Sequence, residues 1–107
     1  MFVHLTNNAI QKLGTNYGEF EEGNILSFTE GSEYLKKQDN IDVDFYQMLK
    51  DDILPIIEQT MMSVRQKINK NNRKFCMEIY GYDFMVDENM APWLIEVNTN
   101  PCLEESN

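Results

Sequence analysis

Histidine, tryptophan and cysteine are scarce in this 107-residue chain, with one, one and two copies, and each scarcity removes a class of chemistry. His4 is the single histidine, and Cys76 and Cys102 form no Cys-x-x-Cys pair, so a zinc cluster of ordinary ligand spacing is excluded. Two cysteines are also too few for a disulfide scaffold, and the expected setting is reducing and cytoplasmic. Basic residues are outnumbered, nine against eighteen acidic, and the net charge of −9 argues against this segment gripping nucleic acid or an anionic membrane. The same charge would repel an acidic protein tail, whose basic contacts are therefore expected elsewhere. No run approaches the roughly eighteen consecutive apolar residues of a membrane span. The start, Met1-Phe2-Val3-His4-Leu5, has neither the basic flank nor the apolar stretch of a secretory signal.

What is present is a hydrophobic fraction of 42% and twelve aromatic residues, enough for one small globular domain over residues 1–107. Phe2, Val3 and Leu5 suggest a short strand, after which Thr6, Asn7 and Asn8 supply cap-type side chains for a brief helical turn reaching Lys12. Residues 14–24 hold three glycines and follow no helical or alternating period, so they read as a loop. Thr29 is expected to cap a short helix that ends near Lys37.

From Val43 to Ile68 the apolar residues Phe45, Leu49, Ile53, Ile56, Ile57, Met61, Val64 and Ile68 recur mostly in steps of three or four, which predicts an amphipathic helix. Pro55 cannot donate to the carbonyl of Asp51, so the helix must kink there or divide in two, with Pro55 in the first turn of the second half. Lys67 and Lys70 suit the C-terminal end of its dipole, and residues 69–72 should stop it. Two strand-like runs follow, residues 75–86 and 93–97, joined by a polar turn containing Pro92. Helices combined with a terminal hairpin predict an α+β class, mainly antiparallel sheet covered by helices.

The hairpin brings acidic residues together by parity. Tyr82, Phe84 and Val86 share one face of the first strand, and Trp93, Ile95 and Val97 share one face of the second. If both apolar sets enter one core, the opposite faces must also coincide, since a slip of one residue would expose one set. Pairing Val86 with Trp93 then sets Asp83 across from Glu96 and Gly81 across from Asn98, with Met85 and Leu94 as apolar neighbours on that face. Gly81 would let a ligand approach the backbone closely.

Two carboxylates within about 5 Å repel unless a proton or a cation lies between them. A divalent ion resolves this, and oxygen ligands with room for water and phosphate favour Mg²⁺ over a calcium cage. An EF-hand starting at Asp87 is excluded, because Pro92 stands where the loop needs glycine and Asn98 where it needs glutamate. The alternative is that Asp83 and Glu96 merely occupy a solvated sheet face.

Three ordered motifs carry a resemblance. Residues 78–87 (Glu-Ile-Tyr-Gly-Tyr-Asp-Phe-Met-Val-Asp), followed by residues 92–101 (Pro-Trp-Leu-Ile-Glu-Val-Asn-Thr-Asn-Pro), resemble the closing hairpin of tubulin-tyrosine-ligase-like enzymes. His4-Leu5-Thr6-Asn7 and residues 17–24 (Tyr-Gly-Glu-Phe-Glu-Glu-Gly-Asn) are similar to preceding segments of that family in the same order. The resemblance implies the C-terminal half of an ATP-grasp domain, in which ATP and Mg²⁺ lie between two lobes. It implies ligation of an amino acid (glutamate, glycine or tyrosine) to tubulin or a similar acidic protein through an acyl phosphate. Asp83, Glu96 and Asn98 would hold Mg²⁺ and the ATP phosphates, and His4, Thr6 and Asn7 would form the catalytic set. Tubulin as acceptor would place the protein in the cytoplasm, at the cytoskeleton or cilium. Thr99-Asn100-Pro101 departs from the Gly-Ala-Pro-like turn of tyrosine ligase proper, which leaves the glutamylating and glycylating branches open. The ATP-gripping lysines and the adenine pocket of the family would precede Met1, so the chain alone is expected to be inactive.

Overall fold

The computed structural model describes residues 8–19, 25–101 and 103. His4, Thr6 and Asn7 lie outside the described residues, as do the strand expected at Phe2–Leu5, most of the motif at 17–24, and Cys102. Helix α1 covers Asn8–Gln11. Helix α2 (Phe28–Gln38) is capped by Ser27 rather than Thr29. The Ser27 hydroxyl accepts the Glu30 amide, and the Glu30 carboxylate accepts the Ser27 amide at 2.8 Å. This reciprocal pair satisfies two donors at once, which Thr29 could not do from inside the first turn. The Ser27 hydroxyl, donating to the Glu30 carboxylate at 2.6 Å, and then the Ser27 amide hold the Glu30 carboxyl below its ordinary value. Beyond the C-cap Asp39, Asn40 takes a left-handed φ of 56° and turns the chain so that the Ile41 amide returns to the Leu35 carbonyl.

The amphipathic run divides into α3 (Phe45–Met48), a π-helical turn (Leu49–Ile53) and α4 (Leu54–Val64). Asp44 caps α3 by accepting the amides of Tyr46 and Gln47. Pro55 sits in the first turn of α4, where its missing N–H matters least. The widened turn before it, closed by the Leu54 amide on the Leu49 carbonyl, takes up the break without stopping the helix. Helical structure therefore spans residues 45–64, short of the expected end at Ile68, and turns continue to Asn71. Helices α2 and α3 pack where Phe45 lies over Gly31, and the rings of Phe28 and Tyr46 meet edge to face at 5.3 Å. Met48 is the one buried residue among the described residues.

Strands β1 (Gly81–Val86) and β2 (Pro92–Asn98) form a two-stranded antiparallel sheet, so the class is α+β with a closing hairpin, as expected. The first strand is shorter than residues 75–86. Residues 75–80 form no strand, and Phe75, Met77 and Ile79 are exposed. Strand propensity alone does not hold a segment extended, and no described residue pairs with this one in a ladder.

Candidate metal centre

The register pairs Gly81 with Asn98, Tyr82 with Val97 and Asp83 with Glu96. Beyond that point Phe84 faces Leu94, Met85 faces Trp93 and Val86 faces Pro92. Ile95 has no partner and forms a β-bulge, which turns the remainder of β2 over by one residue. The expected pairing of Val86 with Trp93 is thereby corrected. Leu94 joins Tyr82 and Phe84 on the covered side, while Trp93 joins Met85 on the side of the carboxylates. Exposure follows this assignment, since Leu94 is half-buried whereas Trp93 is 62% and Met85 57% exposed. Trp93 is therefore not a core residue.

The bulge lies outside the part of the ladder that places the polar trio. Asn98 Nδ2 donates to Glu96 Oε1 at 3.2 Å and makes a longer contact of 3.4 Å with Asp83 Oδ2. One amide thus bridges two carboxylates that would otherwise repel, and all three side chains are exposed on the same face. The covered face is fixed by Tyr82, whose hydroxyl lies 2.8 Å from Thr60 Oγ1 on α4. Thr60 donates its single proton to the Ile57 carbonyl, so Tyr82 is the donor in that pair. Anchored there, β1 turns Asp83 outward.

The space beside Gly81 is filled from within the chain. A Cβ at that position would stand 3.0 Å from Pro101 Cβ, so the glycine admits Pro101 rather than a ligand.

The turn between the strands is organised by Asp87, a role that reading the strands did not reveal. Its Oδ1 accepts the amides of Asn89 and Ala91, and its Oδ2 accepts the indole N–H of Trp93 at 2.9 Å. The Trp93 bond, followed by the Ala91 amide, holds the Asp87 carboxyl below its ordinary value. The signal was present, because an aspartate opening a turn commonly bonds backbone two residues on. Met90, at φ 61°, completes the turn.

Two carboxylates and an amide oxygen make an all-oxygen donor set suited to a hard divalent cation. A half-turn of the Asn98 amide would exchange its donor for its acceptor. His4, Thr6 and Asn7 lie outside the described residues, so the structure does not relate them to this trio.

Comparison with known proteins supplies the context. The tubulin-tyrosine ligase family matches residues 1–107. Tubulin glycylase 3B of Tetrahymena thermophila is 37% identical over 105 residues, covering 98% of this chain and 9% of that protein. Tubulin glycylase 3D of the same organism is 39% identical over 108 residues, covering 98% of this chain and 10% of the relative. The probable alpha-tubulin polyglutamylase Ttll1, also from Tetrahymena, is 43% identical over 103 residues, which are 96% of this chain and 24% of the relative. The chain thus spans from 9% to 24% of the length of these relatives. Matched from end to end by the family, the chain belongs to the tubulin-tyrosine ligase family.

Proposed function

We propose that this chain is the Mg²⁺-holding part of a ligase that uses ATP to join an amino acid (glutamate, glycine or tyrosine) to tubulin or a comparably acidic protein. The observation that carries the reading is the cross-strand pairing of Asp83 with Glu96, bridged by Asn98. The relatives support it, since their names describe glycylation and polyglutamylation of tubulin. An acceptor of that kind places the protein in the cytoplasm, at the cytoskeleton or cilium.

Within this proposal the donor set fits Mg²⁺, because it is built of oxygens and is small enough to leave coordination positions for water and phosphate. When bound, Mg²⁺ would neutralise charge on the ATP phosphates as the γ-phosphoryl group moves to the substrate carboxyl and forms the acyl phosphate. Asp83 and Glu96 would hold the ion from opposite strands, and Asn98 would orient them. Met85 and Trp93 would form an apolar flank on the same face. His4, Thr6 and Asn7 are proposed for the phosphate or acceptor end of an ATP-grasp cleft whose other lobe is not part of these 107 residues.

The test is Glu96→Gln in a complete enzyme carrying this segment, assayed by incorporation of labelled glutamate or glycine into tubulin. Ligation should fall to background while circular dichroism stays unchanged; retained turnover refutes the assignment. Binding of Mn²⁺ to the 107-residue chain, followed by electron paramagnetic resonance, gives a readout independent of activity and should weaken in the same variant. A second reading, a non-catalytic interaction module, is favoured by the thin core, in which Met48 alone among the described residues is buried. Micromolar binding of Mg²⁺-ATP to the isolated chain by calorimetry would exclude that module.

A further inference from the structure

Asp83 is bracketed in β1 by two aromatic residues, Tyr82 and Phe84, whose ring centroids lie 6.3 Å apart with the planes 17° from parallel. Both residues are half-buried, and alternation along the strand directs the Asp83 carboxylate to the opposite, exposed face. Tyr82 reaches further than Phe84. Its hydroxyl donates to Thr60 Oγ1 on α4, and Thr60 donates in turn to the Ile57 carbonyl at 2.8 Å. The second bond matters for the first, because a threonine tied to its own helix backbone has its χ1 fixed and keeps its remaining lone pair toward the tyrosine. A chain of two hydrogen bonds therefore runs from the backbone of α4 to β1, and Thr60 is half-buried like Tyr82, which strengthens each link.

This tie stands where the ladder is weakest. The bulge at Ile95 interrupts the register between Asp83 and Phe84, and a bulge disrupts pairing locally and lets the strand bend. A two-stranded ribbon has little stability of its own to resist such bending. The side-chain bonds of β2 described above stay within the hairpin, from Trp93 to Asp87 and from Asn98 to Glu96 and Asp83. The hold on the carboxylate face from outside the hairpin comes through Tyr82, one residue from Asp83 and two from the interruption.

We propose that Thr60 and Tyr82 are positioning residues of the metal centre, their hydroxyl pair keeping Asp83, Glu96 and Asn98 at the spacing that a divalent cation requires. The proposal rests on the metal reading of that trio and goes beyond it, by giving control of cation affinity to a helix residue on the far side of the sheet. Both hydroxyls lie on the covered face, so they act through the strand and not on the ion. Ligands must be held to within about 0.5 Å of their working geometry, and a strand free to bend beside Asp83 would lose that spacing.

The test uses a complete enzyme carrying this segment, with Mn²⁺ as the probe and electron paramagnetic resonance as the readout. The site in question is the one whose Mn²⁺ is released by Glu96→Gln. There Tyr82→Phe, which deletes one oxygen and keeps the ring, should weaken Mn²⁺ about three- to tenfold. Thr60→Val should do the same, and Thr60→Ser, which keeps the hydroxyl, should stay within about twofold of the parent. The double variant Tyr82→Phe, Thr60→Val should be no weaker than either single one, since both delete the same bond. Ser63→Ala removes another α4 hydroxyl, one that donates to the Thr60 carbonyl, and should leave Mn²⁺ affinity within about twofold. Thr60→Val strands the Tyr82 hydroxyl, so if it loses helical circular dichroism, Tyr82→Phe and Thr60→Ser decide. A merely structural bond would lower the unfolding temperature and leave the Mn²⁺ affinity of the folded protein unchanged, and that result overturns the proposal. Loss of the fold in Tyr82→Phe, or an equal weakening in Ser63→Ala, overturns it as well. If Glu96→Gln releases no Mn²⁺, the metal reading fails and takes this proposal with it. If Glu96→Gln releases the ion while Tyr82→Phe and Thr60→Val retain it, the positioning role alone fails.

Discussion

An alanine at position 81 sets two effects against each other where the hairpin meets the segment that follows it. Gly81 lies in β1 and is not among the positive-φ glycines, so alanine suits its backbone. Restricting the unfolded chain should then stabilise by about 0.4–1 kcal/mol. Against this, the new Cβ would stand 3.0 Å from Pro101 Cβ and 3.7 Å from Pro101 Cα. Carbon pairs rest at about 3.5–4.0 Å, so something must retreat by about half an ångström. The proline ring has no alternative rotamer that would clear the contact, which leaves a shift of residues 99–101 as a unit. Overpacking of this kind costs about 1–3 kcal/mol, so the expected net loss is about 1 kcal/mol and no more than about 2.5. The displacement falls on Asn98, the cross-strand partner of Gly81. Urea denaturation followed by Trp93 fluorescence measures the energy, and the Asn98 side-chain amide resonances report the movement. A stabilised variant with unmoved Asn98 resonances would refute the view that Pro101 fills the space beside Gly81.

The turn should respond to acid in a defined window. Because Asp87 is held below its ordinary value of 3.8, its contribution is fully present above that pH and is lost as pH falls through the depressed folded value. Trp93 fluorescence should stay flat from neutrality to about pH 4 and change below it, and Asp87→Asn should remove the step; a transition above that pH contradicts the assignment. Ser27→Ala should cost about 1 kcal/mol and speed amide exchange in the first turn of α2, while Thr29→Ala should have a smaller effect. Equal effects of the two substitutions would return the cap to Thr29.

What could be read beforehand depended on how local the physics is. The pairing of Asp83 with Glu96 and of Gly81 with Asn98 was legible because alternation and antiparallel register are short-range constraints. The bulge at Ile95 was not, because Trp93, Leu94 and Ile95 are three consecutive apolar residues and either phase of alternation accommodates them. Ser27-Phe28-Thr29-Glu30 has the spacing of a capping box, which sets the cap at Ser27 and not at the expected Thr29. Pro55 announced a helix irregularity, but its form depended on the strain of neighbouring turns, which periodicity does not encode. The expected strand at residues 75–80 needed a ladder partner, a tertiary property.

The bonds of Asp87 have a consequence for the carboxylates upstream and downstream of it. Four acids, Asp83, Asp87, Glu88 and Glu96, lie in the hairpin's sequence, and a cation approaching an unstructured version of this segment could sample Asp83, Asp87 and Glu96 together. Folding sorts them: two amides and an indole engage both oxygens of Asp87, which would leave Asp83 and Glu96 as the cross-strand pair free to exchange ligands. A site of two charges instead of three would hold a divalent ion weakly on its own and more firmly when a polyphosphate brings further oxygens. The hairpin turn would thus set the ion's residence time, making it a passenger of the nucleotide and not a permanent resident.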